Sequence, residues 1–84
     1  MPEVAIGKVN EFFARPVVAG IELTAPLSAG DTIHIKGHTT DLTVTVASMQ
    51  INNATVTQAK AGDHVGIKVS DRVRQGDSVY KITA

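Results

Sequence analysis

The stretch DTIHIKGHTTDLTVTVASMQI, residues 31–51, decides the fold class, because apolar and polar residues alternate on both sides of a polar turn. The alternating apolar residues are Ile33 and Ile35 in the first arm and Leu42, Val44 and Val46 in the second. A period of two is typical of a β-strand with one buried face. The polar segment KGHTTD, residues 36–41, is the predicted turn, so the stretch predicts a β-hairpin.

The alternation changes phase after Val46, because Met49 and Ile51 are odd-numbered whereas the preceding apolar residues are even-numbered. A β-bulge at Ala47 and Ser48 would return both sets to the same face of one long strand. Bulged and bent strands are typical of sheets that curl. We therefore expect a closed or strongly curled sheet.

Composition favours a single all-β domain spanning residues 1–84. The chain contains no cysteine, which excludes disulfides and thiolate metal sites, and it is rich in the branched residues that favour strands. Eight Lys and Arg balance eight Asp and Glu, so no overall field draws the chain towards nucleic acid or anionic lipid. We expect no cofactor.

The N-terminal sequence MPEV lacks the basic start and apolar run of a signal peptide. No apolar run elsewhere in the sequence approaches the length that spans a membrane. These observations predict a cytoplasmic protein without membrane contact.

Four further strands are predicted, at residues 4–13, 17–23, 64–69 and 78–83, with Arg15 and Pro16 breaking the chain between the first two. Residues 52–54 are predicted to form a loop, and residues 55–60 are predicted to be extended chain or one turn. About six strands in so short a chain favour a small six-stranded closed β-barrel, because closure removes exposed edges. The alternative is an open two-sheet sandwich.

One turn pattern occurs three times in the sequence, with an apolar residue followed three positions later by Gly-Asp and then a strand. The copies are Leu27-x-x-Gly30-Asp31, Ala59-x-x-Gly62-Asp63 and Val73-x-x-Gly76-Asp77. Glycine supplies a left-handed backbone and aspartate supplies a local acceptor. The unequal intervals indicate a recurring turn and not a solenoid repeat.

Several segments together resemble the second domain of the translational GTPases, the β-barrel that follows the G domain. They are Ile6-Gly7-Lys8-Val9, LSAGDTI at 27–33, VTVASMQI at 44–51, AKAGDHVGI at 59–67 and QGDSV at 75–79. The segments IKGHTTD at 35–41 and VSDRVR at 69–74 look more like the stand-alone elongation-factor-like small proteins of bacteria and archaea. The same barrel type is also appended to collagenase-like bacterial peptidases.

The resemblance implies a six-stranded barrel of the translation-factor domain 2 type that contacts tRNA or the ribosome. It does not extend to GTP hydrolysis, because the sequence has no Gly-rich loop ending in Gly-Lys-Ser or Gly-Lys-Thr that could surround phosphates.

Candidate chemistry from the histidines and carboxylates is weak. His34 and His38 have the spacing of metal ligands on a helix, but here they fall on a strand and its turn, too far apart to share a metal. His64 comes from a later strand. No serine or cysteine occurs in a nucleophile motif, and most aspartates stand beside turn glycines. We therefore expect no enzymatic activity.

The main candidate site is basic and lies in the last hairpin, where Arg side chains suit phosphate groups. Its residues are Lys68, Arg72, Arg74 and Lys81, with Lys36 and His38 as further contacts. The alternative is a solvated loop neutralised by internal ion pairs. Of the adjacent Phe12 and Phe13, we expect one in the core and one exposed for stacking.

The leading hypothesis from the sequence is a non-enzymatic module that binds RNA or the translation machinery. The alternative is a protein-interaction or substrate-presenting accessory barrel that serves a separately encoded enzyme such as a collagenase-like peptidase. RNA binding would weaken steeply with salt, whereas apolar docking would not.

Overall fold

The computed structural model describes residues 3–14, 17–52 and 54–83, which form ten β-strands and no helix. The strands are β1 (Glu3–Ala14), β2 (Val17–Leu23), β3 (Leu27–Ser28), β4 (Thr32–Lys36), β5 (Asp41–Thr45), β6 (Met49–Ile51), β7 (Ala54–Val56), β8 (Gln58–Ala59), β9 (His64–Lys68) and β10 (Ser78–Ile82). Eight of them form one antiparallel sheet in the order β5-β4-β10-β1-β2-β9-β6-β7, and β3 pairs with β8. The expected all-β class is confirmed.

The predicted hairpin is present as β4 and β5, with Ile33 opposite Val44 and Ile35 opposite Leu42. Both isoleucines are fully buried, whereas Leu42 and Val44 are half-buried and pack against the core. The core lies on the inner face of the curled sheet, because the alternate residues of β2, β4, β9 and β10 point to this side. The alternation in the sequence therefore predicted the buried face correctly.

The closed six-stranded barrel was a wrong prediction, because the sheet is open. Residues 46–48 break the predicted long strand into β5, which pairs with β4 at one edge of the sheet, and β6, which lies near the other edge. Three linking residues span at most about 15 Å, so the sheet must curl to bring β5 and β6 together. No strand ladder in the described ranges joins these two strands.

The backbone of Val46 bonds to a turn instead of continuing a ladder. Its N–H donates to the carbonyl of Asp31, and its carbonyl accepts the N–H of Gly30, both at 2.7–2.8 Å. After Val46 the chain crosses towards the other edge of the sheet, where Met49 is fully buried and pairs with β9. The bulge that the sequence predicted at Ala47 and Ser48 is thus a crossing between sheet edges.

The three Gly-Asp turns have the same geometry. Their glycines, Gly30, Gly62 and Gly76, have φ angles of 93–95°, which only glycine adopts without strain. In each turn the aspartate carboxylate accepts the backbone N–H three residues earlier, at 2.8–3.0 Å. The recurring turn predicted from the sequence is confirmed.

Each of these turns is also fastened to a neighbouring strand by two backbone hydrogen bonds. The glycine N–H donates to the carbonyl of a buried residue in or directly after a strand, and the same residue's N–H donates to the aspartate carbonyl. These buried residues are Val46, directly after β5, for Gly30-Asp31, Leu23 of β2 for Gly62-Asp63 and Val9 of β1 for Gly76-Asp77. The turns therefore hold the ends of the curled sheet over its core.

Other local predictions have mixed outcomes. Asn52 has a left-handed φ of 51°, which fits the predicted loop, whereas Ala54 already begins β7. Residues 54–59 are extended, as one of the two readings of this segment expected. The predicted break at Arg15 and Pro16, and the loop residue Asn53, lie outside the described residues.

Across the described ranges, the structure contains no helix with the length and hydropathy needed to cross a membrane.

Candidate binding surface

Three of the predicted basic residues lie near one another at one end of the sheet. Lys68 is the last residue of β9, is exposed, and stands opposite Val18 of β2. Arg72 and Arg74 are exposed in the loop between β9 and β10, and both line a shallow groove that includes Phe13. The structure thus brings Lys68, Arg72 and Arg74 to the same region as an aromatic ring.

Lys81, Lys36 and His38 do not join this group. Lys81 is half-buried on β10 between Val4 and Ile33, about 10 Å along the strand from the loop that carries the arginines. Lys36 and His38 are exposed in and beside the β4–β5 turn. The sequence grouped Lys81 with the arginines by proximity along the chain and added Lys36 and His38 as further contacts, but proximity along the chain does not report which strands are neighbours.

The aspartates of the loop bond to its backbone and form no ion pair with its arginines. The carboxylate of Asp71 accepts the N–H of Arg72 at 2.7 Å, and that of Asp77 accepts the N–H of Arg74 at 2.8 Å. Within the described part of the chain, the ion pairs involve His34 and His64, not the loop arginines. The alternative of internal ion pairs in this loop therefore does not hold for the described residues.

Phe12 and Phe13 divide between core and solvent, as their alternation predicted. Phe12 is half-buried against the core, whereas Phe13 is 50% exposed on the outer face of the sheet. Phe13 stands opposite Val18, which in turn stands opposite Lys68. An aromatic ring, an aliphatic side chain and an ammonium group therefore form one row across three strands.

Beside this row runs a groove of about 670 Å³ on the outer face of β1, β2, β9 and β6. Its floor contains Gly20 and Gly66, which are direct partners across β2 and β9. The groove is lined by Asn10, Glu11, Phe13, Val18, Gly20, Ile21, Gln50, Asn52, His64, Val65 and Gly66. A second groove of about 610 Å³ lies on the arginine side of Phe13.

The two floor glycines are not required by the backbone. Neither has a positive φ, and an added Cβ would stand 3.4 Å from the Cβ of Glu11 at Gly20 and 3.3 Å from Cγ1 of Val18 at Gly66. Gly7 differs, because a Cβ there would overlap the carbonyl of Glu22. Gly20 and Gly66 thus leave the floor of the groove without side chains, although a Cβ at either position would contact the neighbouring Glu11 or Val18. We call Phe13, Val18, Gly20, Gly66, Lys68, Arg72 and Arg74 the Phe13 surface.

His34 forms a separate charged cluster on the outer face of β4. Its Nδ1 lies 2.5 Å from Oε2 of Glu3, and its Nε2 contacts the carboxylate of Asp41. The hydrogen bonds to Asp41 and then Glu3 raise the pKa of His34 above its ordinary value of 6.5. The bond to His34 in turn lowers the pKa of the Asp41 carboxyl below 3.8.

The His34 cluster links β1, β4 and β5, and both ring nitrogens face carboxylates. A histidine held in this way has no free nitrogen to activate a hydroxyl group. Among the described residues, no group of three or more His, Asp or Glu side chains is arranged to hold a metal ion. The sequence analysis missed this cluster, because Glu3 lies 31 residues before His34.

A scan against models of protein families finds no match. Among curated proteins, the chain is 47% identical over 79 residues to an uncharacterized protease of Methanocaldococcus jannaschii, covering 93% of this chain and 19% of the protease. It is 32% identical over 81 residues to a collagenase of Porphyromonas gingivalis, covering 94% of this chain and 20% of the collagenase. The chain thus spans about a fifth of the length of these relatives.

Among solved structures, the fold matches the C-terminal domain of a U32 peptidase from Geobacillus thermoleovorans. The TM-score is 0.86 with 17% sequence identity, covering 96% of this chain and 93% of that domain. A selenomethionine variant of the same domain gives a TM-score of 0.84 with 14% identity, covering 89% of this chain and 95% of the variant.

These comparisons overturn the resemblance to translation factors. The segments that carried it consist mainly of turn residues and strand residues, and such residues specify a fold more than an activity. The relatives found by sequence are described as a protease and collagenases, and the fold is that of a peptidase C-terminal domain. The chain is therefore similar to a domain of collagenase-like peptidases, and its assignment to the elongation-factor-like proteins was wrong.

Proposed function

We propose that this domain is a non-catalytic accessory module of a collagenase-like peptidase, and that it binds polypeptide for the enzyme. The observation that carries the proposal is the alignment itself. More than nine-tenths of the chain aligns with about a fifth of each protease, so the match is to a domain-sized unit of a larger enzyme. The alternative hypothesis from the sequence comes near to this proposal, but it expected an accessory barrel that serves a separately encoded enzyme.

The side chains support a binding role more than a catalytic one. The best-placed imidazole, that of His34, bonds to two carboxylates. His64 is mostly exposed, and its Nε2 lies 3.7 Å from Glu22. Neither arrangement offers an activated nucleophile. Four-fifths of each relative lies outside the aligned segment, which leaves ample chain for a separate catalytic domain.

The Phe13 surface is the part of the domain best suited to bind polypeptide. It combines an exposed aromatic ring, a groove floored by glycine and three cationic side chains, whereas exposed large apolar side chains are otherwise few among the described residues. The contacts with tRNA or the ribosome expected from the sequence have no support from the relatives. The cytoplasmic location stays a prediction.

The proposal is tested with gelatin, which is the unfolded form of a collagenase substrate. The purified 84-residue chain is passed over immobilised gelatin and is separately incubated with fluorescein-labelled gelatin. We expect saturable binding and no release of labelled peptide above a blank. Hydrolysis by the chain would overturn its non-catalytic role, and a failure to bind any gelatin would overturn its role in holding substrate.

A further inference from the structure

We infer that the Phe13 surface binds an extended polypeptide segment that is acidic and carries one apolar anchor residue. The inference rests on the proposed function and deepens it, because it names the chemistry of the segment that the domain would hold.

The charges of the surface favour an acidic occupant. Lys68, Arg72 and Arg74 are exposed and, within the described ranges, form no ion pair. Glu11 lines both grooves and the exposed carboxylate of Asp71 lies beside Arg72, so the three exposed cationic side chains outnumber these two exposed carboxylates, while Asp77 is buried. Arg side chains bind carboxylates through paired hydrogen bonds, so the arginines favour Asp and Glu of a bound segment.

The shape of the surface favours a main chain in extended form. Gly20 and Gly66 leave the floor of the groove without side chains, although neither position needs glycine for its own backbone. A peptide backbone could therefore lie close to the sheet. Gln50 and Asn52 line the same groove and can bond to peptide N–H and carbonyl groups, while the ring of Phe13 supplies a contact for one apolar side chain.

The spacing across the sheet sets the sequence of the bound segment. Phe13, Val18 and Lys68 occupy adjacent strands, so the first and last are about 10 Å apart at the usual strand separation. An extended peptide advances about 3.3 Å per residue. Every second side chain of such a ligand faces the sheet, so an apolar side chain on Phe13 places the residue four positions along within reach of the long Lys68 side chain, and an acidic residue is favoured there.

The test uses a fluorescein-labelled peptide, GEELAGEEG, in which a glutamate follows leucine by four positions. A matched peptide has lysine at every glutamate position. Fluorescence anisotropy with the full 84-residue chain is measured at low and at physiological salt. We expect the acidic peptide to bind with an affinity that falls as salt rises, and we expect the lysine peptide not to bind.

Variants of the chain then test whether the acidic peptide binds at the Phe13 surface. Replacing both arginines (Arg72→Gln with Arg74→Gln) should weaken binding about tenfold or more, and Phe13→Ala should weaken it by a similar factor. Lys60→Gln, at an exposed position outside the Phe13 surface, removes one positive charge and should leave the affinity unchanged. Amide spectra of each variant confirm that the fold is retained.

Chemical-shift mapping of the unmodified chain gives a second measurement that needs no variant. The inference predicts shifts at Phe13, Gly20, Gly66 and Lys68, and none around His34. It is overturned by equal binding of the lysine peptide, by full affinity in the double arginine variant, or by equal binding of single-stranded polyuridylate. If gelatin binds but the acidic peptide does not, the proposed function stands and this inference fails.

Discussion

The carboxylate of Asp77 accepts the backbone N–H of Arg74 at 2.8 Å, and Asp77 is only 6% exposed. Replacing it with alanine (Asp77→Ala) leaves that N–H without its acceptor inside the structure. We expect the free energy of unfolding to fall by about 1–3 kcal/mol. Urea denaturation measures the change.

Asp63 provides a matched control for Asp77, because it makes the same bond to Lys60 in a turn that is more exposed. In Asp63→Ala, water can replace the carboxylate, and the loss should be smaller, about 0.5–1.5 kcal/mol. Equal losses of unfolding free energy in Asp63→Ala and Asp77→Ala would contradict the prediction that burial of the aspartate sets the size of the loss.

Gly37 stands directly beside the Asp77 carboxylate, and an added Cβ would overlap Oδ1 of that side chain. Asp77 cannot move away without breaking its bond to Arg74. Gly37→Ala should therefore lower the free energy of unfolding by about 1–3 kcal/mol. Thermal denaturation followed by circular dichroism measures the effect.

The comparison variant for Gly37 is Gly66→Ala, which meets only Cγ1 of Val18 at 3.3 Å and has no positive φ. We expect a change of less than about 1 kcal/mol, because the smaller entropy of the unfolded chain offsets the close contact. A large loss in Gly66→Ala would mean that this glycine serves the fold and not the groove.

The pH dependence of stability should report the His34 cluster. The pKa of His34 is raised above 6.5 in the folded state, so its contribution is complete below pH 6.5 and is lost as pH rises through the folded-state pKa. The pKa of Asp41 is lowered below 3.8, so its contribution is present above pH 3.8 and is lost as pH falls through the folded-state value.

The free energy that His34→Gln removes should therefore be largest between pH 3.8 and 6.5, and it should decline at higher pH. Urea denaturation at a series of pH values gives this difference. Asp41→Asn should remove part of the same dependence, and adding His34→Gln should remove the remaining part, which comes from the bond between His34 and Glu3. A difference that does not vary with pH would contradict this account of the cluster.

The sequence predicted the local features of the fold correctly, but it did not predict whether the sheet closes into a barrel. The alternation in residues 31–46 predicted which side chains are buried, because strand period is a local property. The Gly-Asp turns were predictable for the same reason. The path of residues 46–48 was not, since a change of phase fits both a bulge in one strand and a crossing between two sheet edges.

The positions of the candidate site's residues were predictable only in part, because some of them are neighbours along the chain and others are neighbours only in the sheet. Lys68, Arg72 and Arg74 are near in sequence and near in space, so the sequence grouped them correctly. The groove depends on Gly20 and Gly66 becoming neighbours, which follows only from the pairing of β2 with β9. Their role as the floor of a groove could not be read from glycine alone, because glycine also marks turns.

The most direct test of the central claim measures the KM for gelatin of the Porphyromonas gingivalis collagenase in three forms. They are the intact enzyme, a form lacking the segment that aligns with this chain, and a form in which this chain replaces that segment. The account predicts that the deletion raises KM roughly tenfold with a smaller effect on kcat, and that the replacement restores it. An unchanged KM after deletion, or a replacement no better than the deletion, would contradict the account.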